Sequence, residues 1–521
     1  MDNFLLSRVP SLKRRACSDK IVANRKLIVY PAQNNLISLM HIVKKYIALV
    51  FCILLGACAT EPVKLDQASH LQKIKQDKQS LIKQADGNQA LHIDLNTAVE
   101  KALAKNFDAR LALFNFLAQQ DKITLQKLNV LPSLDATAQF IGRSNKGASS
   151  SESALSGEIS LEPSFSTEPR RARYDIEAKW KLTDAALAYI DSRIQSNQQK
   201  ILKARYKKVQ NGIVRDVYSA YWKAYYFQEI KSNSTYLLRH MWRHSQDLDE
   251  ARAEKLVSAK PYMDQKQEFA ELRSRIQRQS QNLELALTQL KSLMGLSLKA
   301  DIRLEAPEYN QIDQIHSVLG AEIEKYEDYA FRNRPELREE YLNINTQANK
   351  RRKEILGIIP GAELLYGYNK DKNELLRDNN WFNYSASLTQ SLKKLIELPK
   401  QLDVLENEKQ RARLKRLNLG FAILSQVHIS RAQLEFTLRE YNNSKALYQQ
   451  ASFGREAESA LLENGMISRG TYLAARAREH LANIRNKNAL SDLHGAYANF
   501  LHATGQGPPF LKGGELYQDT G

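Results

Sequence analysis

The 521-residue sequence lacks the common motifs of catalytic sites. It contains only three cysteines, and it has no Gly-rich phosphate loop, no Ser-His-Asp spacing and no Cys-x-x-Cys pair. Isolated carboxylates are numerous, as they are along any long solvated helix. We therefore expect no enzymatic activity, no cofactor and no catalytic residue.

Long hydrophobic runs are also missing. The one strongly apolar segment is Tyr46–Ala57, preceded by Lys44 and Lys45. It is too short to span a bilayer as a helix, which needs about 20 residues, and its layout is that of a signal peptide. It ends in Leu55-Gly56-Ala57-Cys58, which resembles the lipobox of bacterial lipoproteins, where the cysteine is lipidated and becomes the mature N-terminus. The alternative is an ordinary signal peptide followed by a chance cysteine.

The cysteine positions agree with lipidation. Cys17 and Cys52 precede the expected cleavage point, so the mature chain would keep Cys58 alone, without an intramolecular disulfide. By resemblance to enteric lipoproteins, a residue other than aspartate after this cysteine, here Ala59, directs the protein to the outer membrane. We expect residues 1–57 to be a signal region, 1–39 a wrongly assigned start, and 58–90 a lipidated polar linker.

Prolines are scarce where the chain has its longest regular pattern. Ala185 to Val257 contains no proline, and only Gly212 interrupts good helix formers there. Apolar residues recur at helical spacing, and one continuous helix would be on the order of 105 Å long. Since an average helix has ~11–12 residues, this one must run along something equally long. A second such stretch, Thr389 to Gly465, has a single proline near its start.

The chain is internally duplicated. Asn106 and Pro132 correspond to Arg334 and Pro360, both 228 positions later, whereas Ser258 corresponds to Ser468, only 210 positions later. Two constant offsets with one jump of 18 indicate a duplication with a single length change. We therefore assign residues 91–300 to a first structural repeat, 301–325 to a connecting segment, 326–506 to a second repeat and 507–521 to a C-terminal tail.

The length change falls in a part of each repeat that alternates with a period of two, which predicts half-buried strands. The alternating stretches are 134–140 and 174–182 in the first repeat and 362–368 and 382–388 in the second. The loop between the first pair, Gly142 to Arg173, is rich in Ser, Gly and Pro, which favours an exposed flexible segment. The loop of the second repeat, Asn369 to Asn380, is shorter and accounts for the jump.

Each repeat therefore predicts helix, strand, strand, very long helix, turn and helix, a mainly α fold with a small β part. In the first repeat, helices at Asn96–Val130 and Ala259–Met294 together match the length of the long helix. Four strands of about ten residues suit a transmembrane barrel, but the smallest barrels have about eight. Several chains must then contribute, and three would supply twelve strands.

In this order of elements the chain resembles the outer-membrane efflux proteins, or TolC-like channels, and with its lipobox their lipoprotein branch. The resemblance covers about residues 91–506. It rests on the duplicated Asn/Arg-x-Asp/Glu opening, the Leu/Ile-Pro before each first strand and the turn Gly465-Met466-Ile467-Ser468. It implies a homotrimer with a 12-strand outer-membrane β-barrel, continued by a long periplasmic α-helical barrel. Such a duct works with an inner-membrane transporter and a periplasmic adaptor to export drugs, metals or proteins.

The resemblance also implies where the adaptor binds, namely at the turns between long and short helices. The second turn, with Gly465, Met466, Ile467 and Ser468, keeps the family pattern of a glycine followed by small or apolar residues. The first turn, with Leu256, Val257 and Ser258, has Lys255 where the family favours glycine. The alternative interpretation is that these residues only cap helices.

Some family members close the tunnel entrance with rings of aspartate after the second turn. The matching positions here are Thr471 and Ala474, neither of them acidic. Three nearby carboxylates, at Glu456, Glu458 and Glu463, could supply charge to a constriction or lie on a solvated face. The sequence names no gate.

Other sites and functions have weaker support. His240 and His244 are four residues apart and share a helical face, but a third metal ligand is not evident, so we predict no metal site. The formal net charge of +18 can suggest nucleic acid, yet Lys and Arg are interleaved with Glu and Asp and no nucleic-acid motif occurs. The rival to an exit duct is a structural or adhesive coiled-coil lipoprotein, which would leave the four strands unexplained.

Overall fold

The computed structural model describes residues 67–83, 91–160, 162–306 and 311–507. Its contacts divide the chain into a unit of residues 1–79 and a unit of residues 80–521. Helix α1 (Gln67–Lys83) lies within the expected linker, and its residues 69–80 are exposed. The expected signal region, the lipidation site Cys58 and all of the expected tail except Gly507 lie outside the described residues.

The larger unit is built mainly of helices. They are α2 (Leu95–Lys105), α3 (Phe107–Leu128), α4 (Leu182–Ala253), α5 (Ala259–Leu293), α6 (Gln311–Gly320), α7 (Ile323–Asn333), α8 (Pro335–Leu356), α9 (Leu392–Glu463) and α10 (Arg469–Thr504). The strands are β1 (Leu91–Ile93), β2 (Ser133–Gly142), β3 (Ala148–Ser149), β4 (Ser164–Phe165), β5 (Arg170–Lys181), β6 (Ile302–Leu304), β7 (Gly361–Asp371) and β8 (Asn380–Thr389).

The two long helices predicted from the sequence are confirmed. Helices α4 and α9 each have 72 residues, and α9 begins and ends 210 positions after α4. A helix of that length spans about 108 Å. Pro399 lies within α9, which continues through it.

The helix expected to run unbroken from Asn96 to Val130 is instead two helices, so that prediction was wrong. Asn106 leaves the helical conformation (φ −62°, ψ 129°), and its side chain accepts hydrogen bonds from the backbone N–H of Asp108 and Ala109. Arg334, the equivalent residue of the second repeat, has nearly the same conformation (φ −69°, ψ 118°). There the following proline takes the first helical position, where its missing N–H costs nothing.

The four predicted strands form one antiparallel sheet in the order β2-β5-β7-β8. The two hairpins lie side by side because β5 of the first repeat pairs with β7 of the second, with Ile176 opposite Tyr368. Strands β2 and β8 are therefore the two edges, each with unpaired backbone groups along one side. The long loop before β5, predicted to be an exposed flexible segment, contains the short hairpin β3–β4.

The two faces of this sheet are reversed relative to a soluble protein. Its apolar face is exposed, with Phe140 77% and Tyr384 85% accessible. Its polar face is covered at the central strands, with Asn369 1% and Asp371 2% accessible, while the polar residues of β2 and most of those of β8 are exposed. The polar groups bond to one another, as in the ion pair of Arg171 with Asp371 at 2.8 Å.

Helices continue the order of the strands. In the half next to the sheet, α3 contacts α4, α4 contacts α8 and α8 contacts α9. In the half next to the turns, α10 contacts α4, α5 and α9, and α4 also contacts α5. In the half next to the sheet, the layer therefore has α3 along one edge and α9 along the other. Of the described helices, none has an apolar stretch long enough to cross a bilayer.

Near the middle of the long helices, the repeats are joined by elements that the sequence patterns did not predict. Strand β1 pairs in parallel with β6, which lies in the expected connecting segment, and α6 follows it. The buried Tyr221 of α4 anchors this pair, because its hydroxyl bonds to the carbonyl oxygens of Ile93 (2.9 Å) and Glu305 (2.7 Å). Burial raises the pKa of this phenol, so it stays protonated.

Candidate functional site

The sequence-predicted contact residues lie in two turns at the ends of the long helices farthest from the sheet. The first turn connects α4 to α5, and the second connects α9 to α10. Both helix pairs are antiparallel and packed along their lengths. The two turns therefore project from the same end of the helical layer.

Both turns end their long helix in the same way. In the first, the N–H of Leu256 donates to the Ala251 oxygen (2.8 Å) and that of Lys255 to the Arg252 oxygen (3.1 Å). In the second, Met466 donates to Leu461 (2.8 Å) and Gly465 to Leu462 (3.0 Å). This pair of bonds is the Schellman motif, which satisfies the last carbonyls of a helix and needs a left-handed residue.

The left-handed residue differs between the turns. Gly465 has φ 69°, which glycine adopts without strain, and Lys255 has φ 61°. Lys255 is the only non-glycine residue with positive φ in the described part of the chain. The first turn therefore has the same conformation as the second although it lacks the glycine. The left-handed backbone of Lys255 costs about 1–2 kcal/mol.

The turns present matching side chains. Leu256 is 73% and Met466 is 71% exposed, whereas the neighbouring Val257 and Ile467 are half-buried. A large exposed apolar side chain at the outermost position of both turns is not required by the local fold. It is the kind of residue that a protein partner covers.

The serines after these residues begin the next helix. Ser468 accepts a hydrogen bond from the N–H of Thr471 (3.1 Å), as a helix cap does. Ser258 has the same backbone conformation but makes no such bond. The capping interpretation therefore applies to the side chain of Ser468, while Leu256 and Met466 cap their helices only through the backbone N–H and leave their side chains exposed.

Side chains behind the first turn tie α4 to α5. Asp249 accepts hydrogen bonds from Lys266 (2.9 Å) and Tyr262 (2.7 Å), and these two bonds, with Lys266 the larger contributor, lower the pKa of its carboxyl. Arg252 donates to the carbonyl oxygen of Val257 (2.9 Å). These contacts connect the first turn to its helices, and the sequence spacing did not predict them.

The second helix pair is tied to the first by close contact. Gly470 is buried one residue after the start of α10, and a Cβ there would collide with the side chains of Gln265 and His244. Its position immediately behind the turn is the signal that could have identified it. Because glycine has no Cβ, α10 packs against α4 and α5 beneath the turns without displacing the ends of these two side chains.

The residues considered as a possible gate lie in different environments, some buried and some exposed. Ala474 is fully buried in an apolar cluster with Phe269 and Ile276, so it does not line a channel. Thr471 is exposed. Of the carboxylates, Glu456 pairs with Arg455 at 3.1 Å, and Glu458 lies 3.7 Å from Arg478. Glu463 is exposed at the end of α9.

The two histidines of α4 pack against aromatic rings. His240 packs on the ring of Tyr236 at 4.1 Å, and His244 packs near Phe269 at 5.6 Å. Burial lowers the pKa of His244. Among the described residues, no three His, Cys, Asp or Glu side chains converge as metal ligands.

Further buried histidines lie on α10, where they contact α4. His480 is held by Ser234 (2.7 Å) and Asn233 (3.0 Å), and burial lowers its pKa to about 4. His494 stacks on Trp222 with ring centroids 3.9 Å apart, and burial lowers its pKa to about 3. Both imidazoles are therefore neutral at physiological pH and act as packing groups.

Comparison with known proteins agrees with this architecture. No protein-family model matches the sequence, and no curated protein matches it. Solved structures do match. The CmeC outer membrane channel of Campylobacter jejuni is similar at 14% identity with a TM-score of 0.61, covering 79% of this chain and 85% of that one.

Two more solved structures are comparable. The MtrE outer membrane channel of Neisseria gonorrhoeae, in its open state, is similar at 15% identity with a TM-score of 0.60, covering 79% of this chain and 89% of that one. The outer membrane protein VceC of Vibrio cholerae is similar at 13% identity with a TM-score of 0.58, covering 79% and 96%. The expected family resemblance is confirmed at the level of fold: this chain has the fold of the TolC-like outer-membrane efflux channels.

Proposed function

We propose that this chain is the exit duct of a tripartite efflux or type I secretion system in the outer membrane. It conducts substrates passively from an inner-membrane transporter and a periplasmic adaptor to the exterior, and it catalyses no reaction. One observation carries this proposal: a four-stranded sheet with an exposed apolar face leads directly into two 72-residue helices. Apolar-out and polar-in is the pattern of a membrane barrel wall.

The open edges of the sheet support a homotrimer. Unpaired backbone groups at β2 and β8 would be unsatisfied in lipid, where open sheet edges do not occur. Pairing β8 of one chain with β2 of the next removes both edges. Three copies give twelve strands, enough to close a barrel, whereas four strands cannot.

The internal repeat gives the register of that pairing. Within the chain, Ile176 of β5 lies opposite Tyr368 of β7. In the other repeat, Ile176 corresponds to Ala386, 210 positions later, and Tyr368 corresponds to Phe140, 228 positions earlier. The same pairing between chains therefore places Ala386 opposite Phe140 of the partner subunit. Both residues belong to the outward apolar face, so this pairing keeps the face continuous around the barrel.

The helical edges carry exposed apolar side chains that ring closure would cover. On α3 these are Phe107, Leu111 and Phe114, each 58–62% exposed. On α9 they are Leu414, Leu417 and Phe421, each 62–72% exposed.

The exposed apolar residues of α3 and those of α9 lie at the same level along the helical layer. Arg205 of α4 and Glu339 of α8 form an ion pair at 2.6 Å within the chain. Their repeat equivalents are Lys415 on α9 and Leu111 on α3. The two apolar faces therefore meet when one chain follows the next around a ring.

The two turns are the proposed adaptor contacts. Leu256, Val257 and Ser258 form one contact, and Gly465, Met466, Ile467 and Ser468 form the other. The exposed Leu256 and Met466 support this assignment, because buried apolar anchors at the centre of a contact dominate binding energies. The turns lie at the end of the layer away from the sheet, which is the periplasmic end of the proposed duct.

The proposal includes a lipid anchor on Cys58. It rests on the sequence Leu55-Gly56-Ala57-Cys58 alone. Acylation there would attach the N-terminus of the mature chain to the outer membrane. Replacing Cys58 by Ser should abolish acylation, measured by mass spectrometry of the mature chain; acyl chains on that variant would contradict the anchor.

Single-channel conductance in planar bilayers tests the duct. We expect discrete openings from the purified protein, because a closed twelve-strand barrel has a water-filled interior. An adhesive coiled-coil lipoprotein, the rival function, would insert no channel. A protein that is folded by circular dichroism and never conducts would favour that rival.

Mass measurement in detergent tests the trimer. We expect three chains per particle. A particle of one chain that retains its sheet would contradict the barrel, because its edges would remain open.

A further inference from the structure

The outward face of the sheet has charge at only one end. Along this face, each strand contributes apolar or small residues through most of its length. The charged positions are Arg170 on β5, Lys370 on β7 and Lys372 directly after β7. All three are basic and exposed, and all lie at the end of the sheet away from the long helices.

The three cations are close neighbours. The backbone N–H of Lys372 donates to the carbonyl oxygen of Ala172 at 2.8 Å, and Arg170 is the next residue along β5 on the same face. Lys370 lies opposite Tyr174 in the ladder. Successive residues on one face of a strand are about 7 Å apart, so Lys372 lies between Arg170 and Lys370, which are about 14 Å apart and can contact one headgroup from opposite sides.

Arginines on the opposite face are paired with carboxylates. Arg171 pairs with Asp371 and Arg173 with Asp175, both at 2.8 Å. Within the described residues, no carboxylate lies within ion-pair distance of Arg170, Lys370 or Lys372. The chain therefore neutralises its inward arginines and leaves the outward cations for an anion from outside.

An aromatic ring marks the boundary between these cations and the apolar face. The Lys372 Nζ lies 5.9 Å from the ring centroid of Tyr174, which is 44% exposed. Tyrosines with an apolar body and a polar tip concentrate at the headgroup level of a membrane. This places the three cations beside lipid headgroups rather than beside acyl chains.

The other end of the same face lacks this arrangement. There the outward residues are Trp180, Leu364 and Leu388, with no charged residue among them. The basic cluster is therefore specific to one leaflet. In the proposed duct that leaflet is the external one, since the helices leave the sheet at the opposite end.

We propose that Arg170, Lys370 and Lys372 form a binding site on each chain for the phosphate groups of external-leaflet lipid. This inference rests on the proposed function for its choice of leaflet. A guanidinium binds phosphate with two parallel hydrogen bonds, and two ammonium groups add point charge. The occupant is a phosphate-bearing lipid headgroup whose acyl chains lie along the apolar face, and lipid A, with a phosphate at each end of its sugar pair, has that chemistry.

The test uses the purified full-length protein in mixed micelles with lipid A, monophosphoryl lipid A or phosphatidylcholine. Native mass spectrometry counts the lipids retained. We expect lipid A to be preferred and the variant R170Q/K370Q/K372Q to lose at least about tenfold in affinity, since each cation near a phosphate surface contributes to binding. The variant K370R/K372R keeps the charge and should retain lipid A.

A matched control removes the same charge elsewhere. Arg239, Lys260 and Lys299 are exposed residues of the helical part with no ion pair among the described residues. R239Q/K260Q/K299Q should bind lipid A like the wild type. An equal loss in this control would show attraction by net charge alone and would overturn the site.

Two further outcomes separate the possible failures. Equal retention of lipid A and phosphatidylcholine by a conducting trimer would overturn the lipid site and leave the duct intact. A protein that neither conducts nor trimerises would overturn the duct itself. Competition by inorganic pyrophosphate at the same concentration as lipid A would show a free-phosphate site instead of a lipid site.

Discussion

Lys255 and Gly465 occupy equivalent positions in the two turns, 210 residues apart, with φ angles of 61° and 69°. Both close a Schellman motif with the same pair of hydrogen bonds. The first turn thus keeps its shape although a lysine replaces the residue best suited to that shape. The packing behind the turn, including the bonds of Asp249 to Lys266 and Tyr262, holds Lys255 in this conformation.

The strain at Lys255 predicts an asymmetric response to substitution. Lys255→Gly should raise the free energy of unfolding by about 1 kcal/mol, because glycine removes the left-handed penalty and loses part of that gain to its greater freedom when unfolded. Gly465→Ala should lower it by a similar amount. Denaturant unfolding followed by circular dichroism measures both. A destabilised Lys255→Gly variant would mean that the lysine side chain stabilises the turn more than its backbone strains it.

The exposed apolar residues at the turns predict a loss of adaptor binding without loss of stability. Leu256→Ser together with Met466→Ser should weaken binding to the adaptor by about tenfold or more, since central apolar anchors carry over 1 kcal/mol each. Leu298→Ser, at a residue 61% exposed but remote from the turns, is the matched control. Surface plasmon resonance with the purified adaptor measures the change. Unaltered binding by the double variant would exclude these side chains as contacts.

The repeat offsets predict a cross-link between neighbouring chains. Cysteines at Leu111 and Lys415 should be joined between subunits by a short bismaleimide cross-linker, because the long side chains of Arg205 and Glu339 touch at the equivalent positions within one chain. Denaturing electrophoresis after treatment should show a covalent trimer. Leu111→Cys with Glu408→Cys, about two helical turns away, should link poorly. Equal linking by both pairs would contradict the register.

The neutral histidine at position 480 predicts sensitivity to acid. Its folded pKa of about 4 lies below the unfolded value near 6.5, so the unfolded state binds the proton first as pH falls. Its contribution is present above pH 6.5 and is lost as pH falls towards 4. Between pH 7.5 and pH 5 the expected loss is about 2 kcal/mol.

The variant His480→Gln tests this contribution. Glutamine can keep a hydrogen bond to Ser234 but does not titrate, so the variant should lose less stability than the wild type between those two pH values. Urea unfolding at each pH gives the difference. The same loss in both proteins would assign the acid sensitivity to other groups, such as His494 or the paired carboxylates.

Much of the architecture was predictable because it depends on patterns along the chain. The two repeat offsets located the length difference between the repeats. The alternation of apolar and polar residues, as around Phe140, predicted which residues share each face of a strand. The helix break at Asn106 was missed because a single asparagine is compatible with a helix interior or a helix cap, and the choice depends on what packs around it. The pairing of β1 with β6 was missed because three-residue strands carry too little periodicity to recognise.

The turns show the same division. Sequence comparison between the repeats identified Leu256 and Met466 as equivalent, and the structure shows both of them exposed. It could not show that Lys255 adopts the conformation of Gly465, because backbone strain is tolerated only when surrounding contacts over-determine it. Nor could it show that Ala474 faces the core, since an alanine fits a buried or a lumen-facing position equally well.

The sequence by itself determined the duplication, the presence of two very long helices and the alternation that makes one face of each strand apolar, because these follow from spacing within one continuous chain. Only the tertiary structure decided that the apolar face of the sheet is exposed while Asn369 and Asp371 are covered, and that the outward cations lie together beside Tyr174. Those facts depend on which strand lies next to which. Neighbours that are some 200 residues apart in sequence are chosen by hydrogen-bond pairing and packing, which no local pattern encodes.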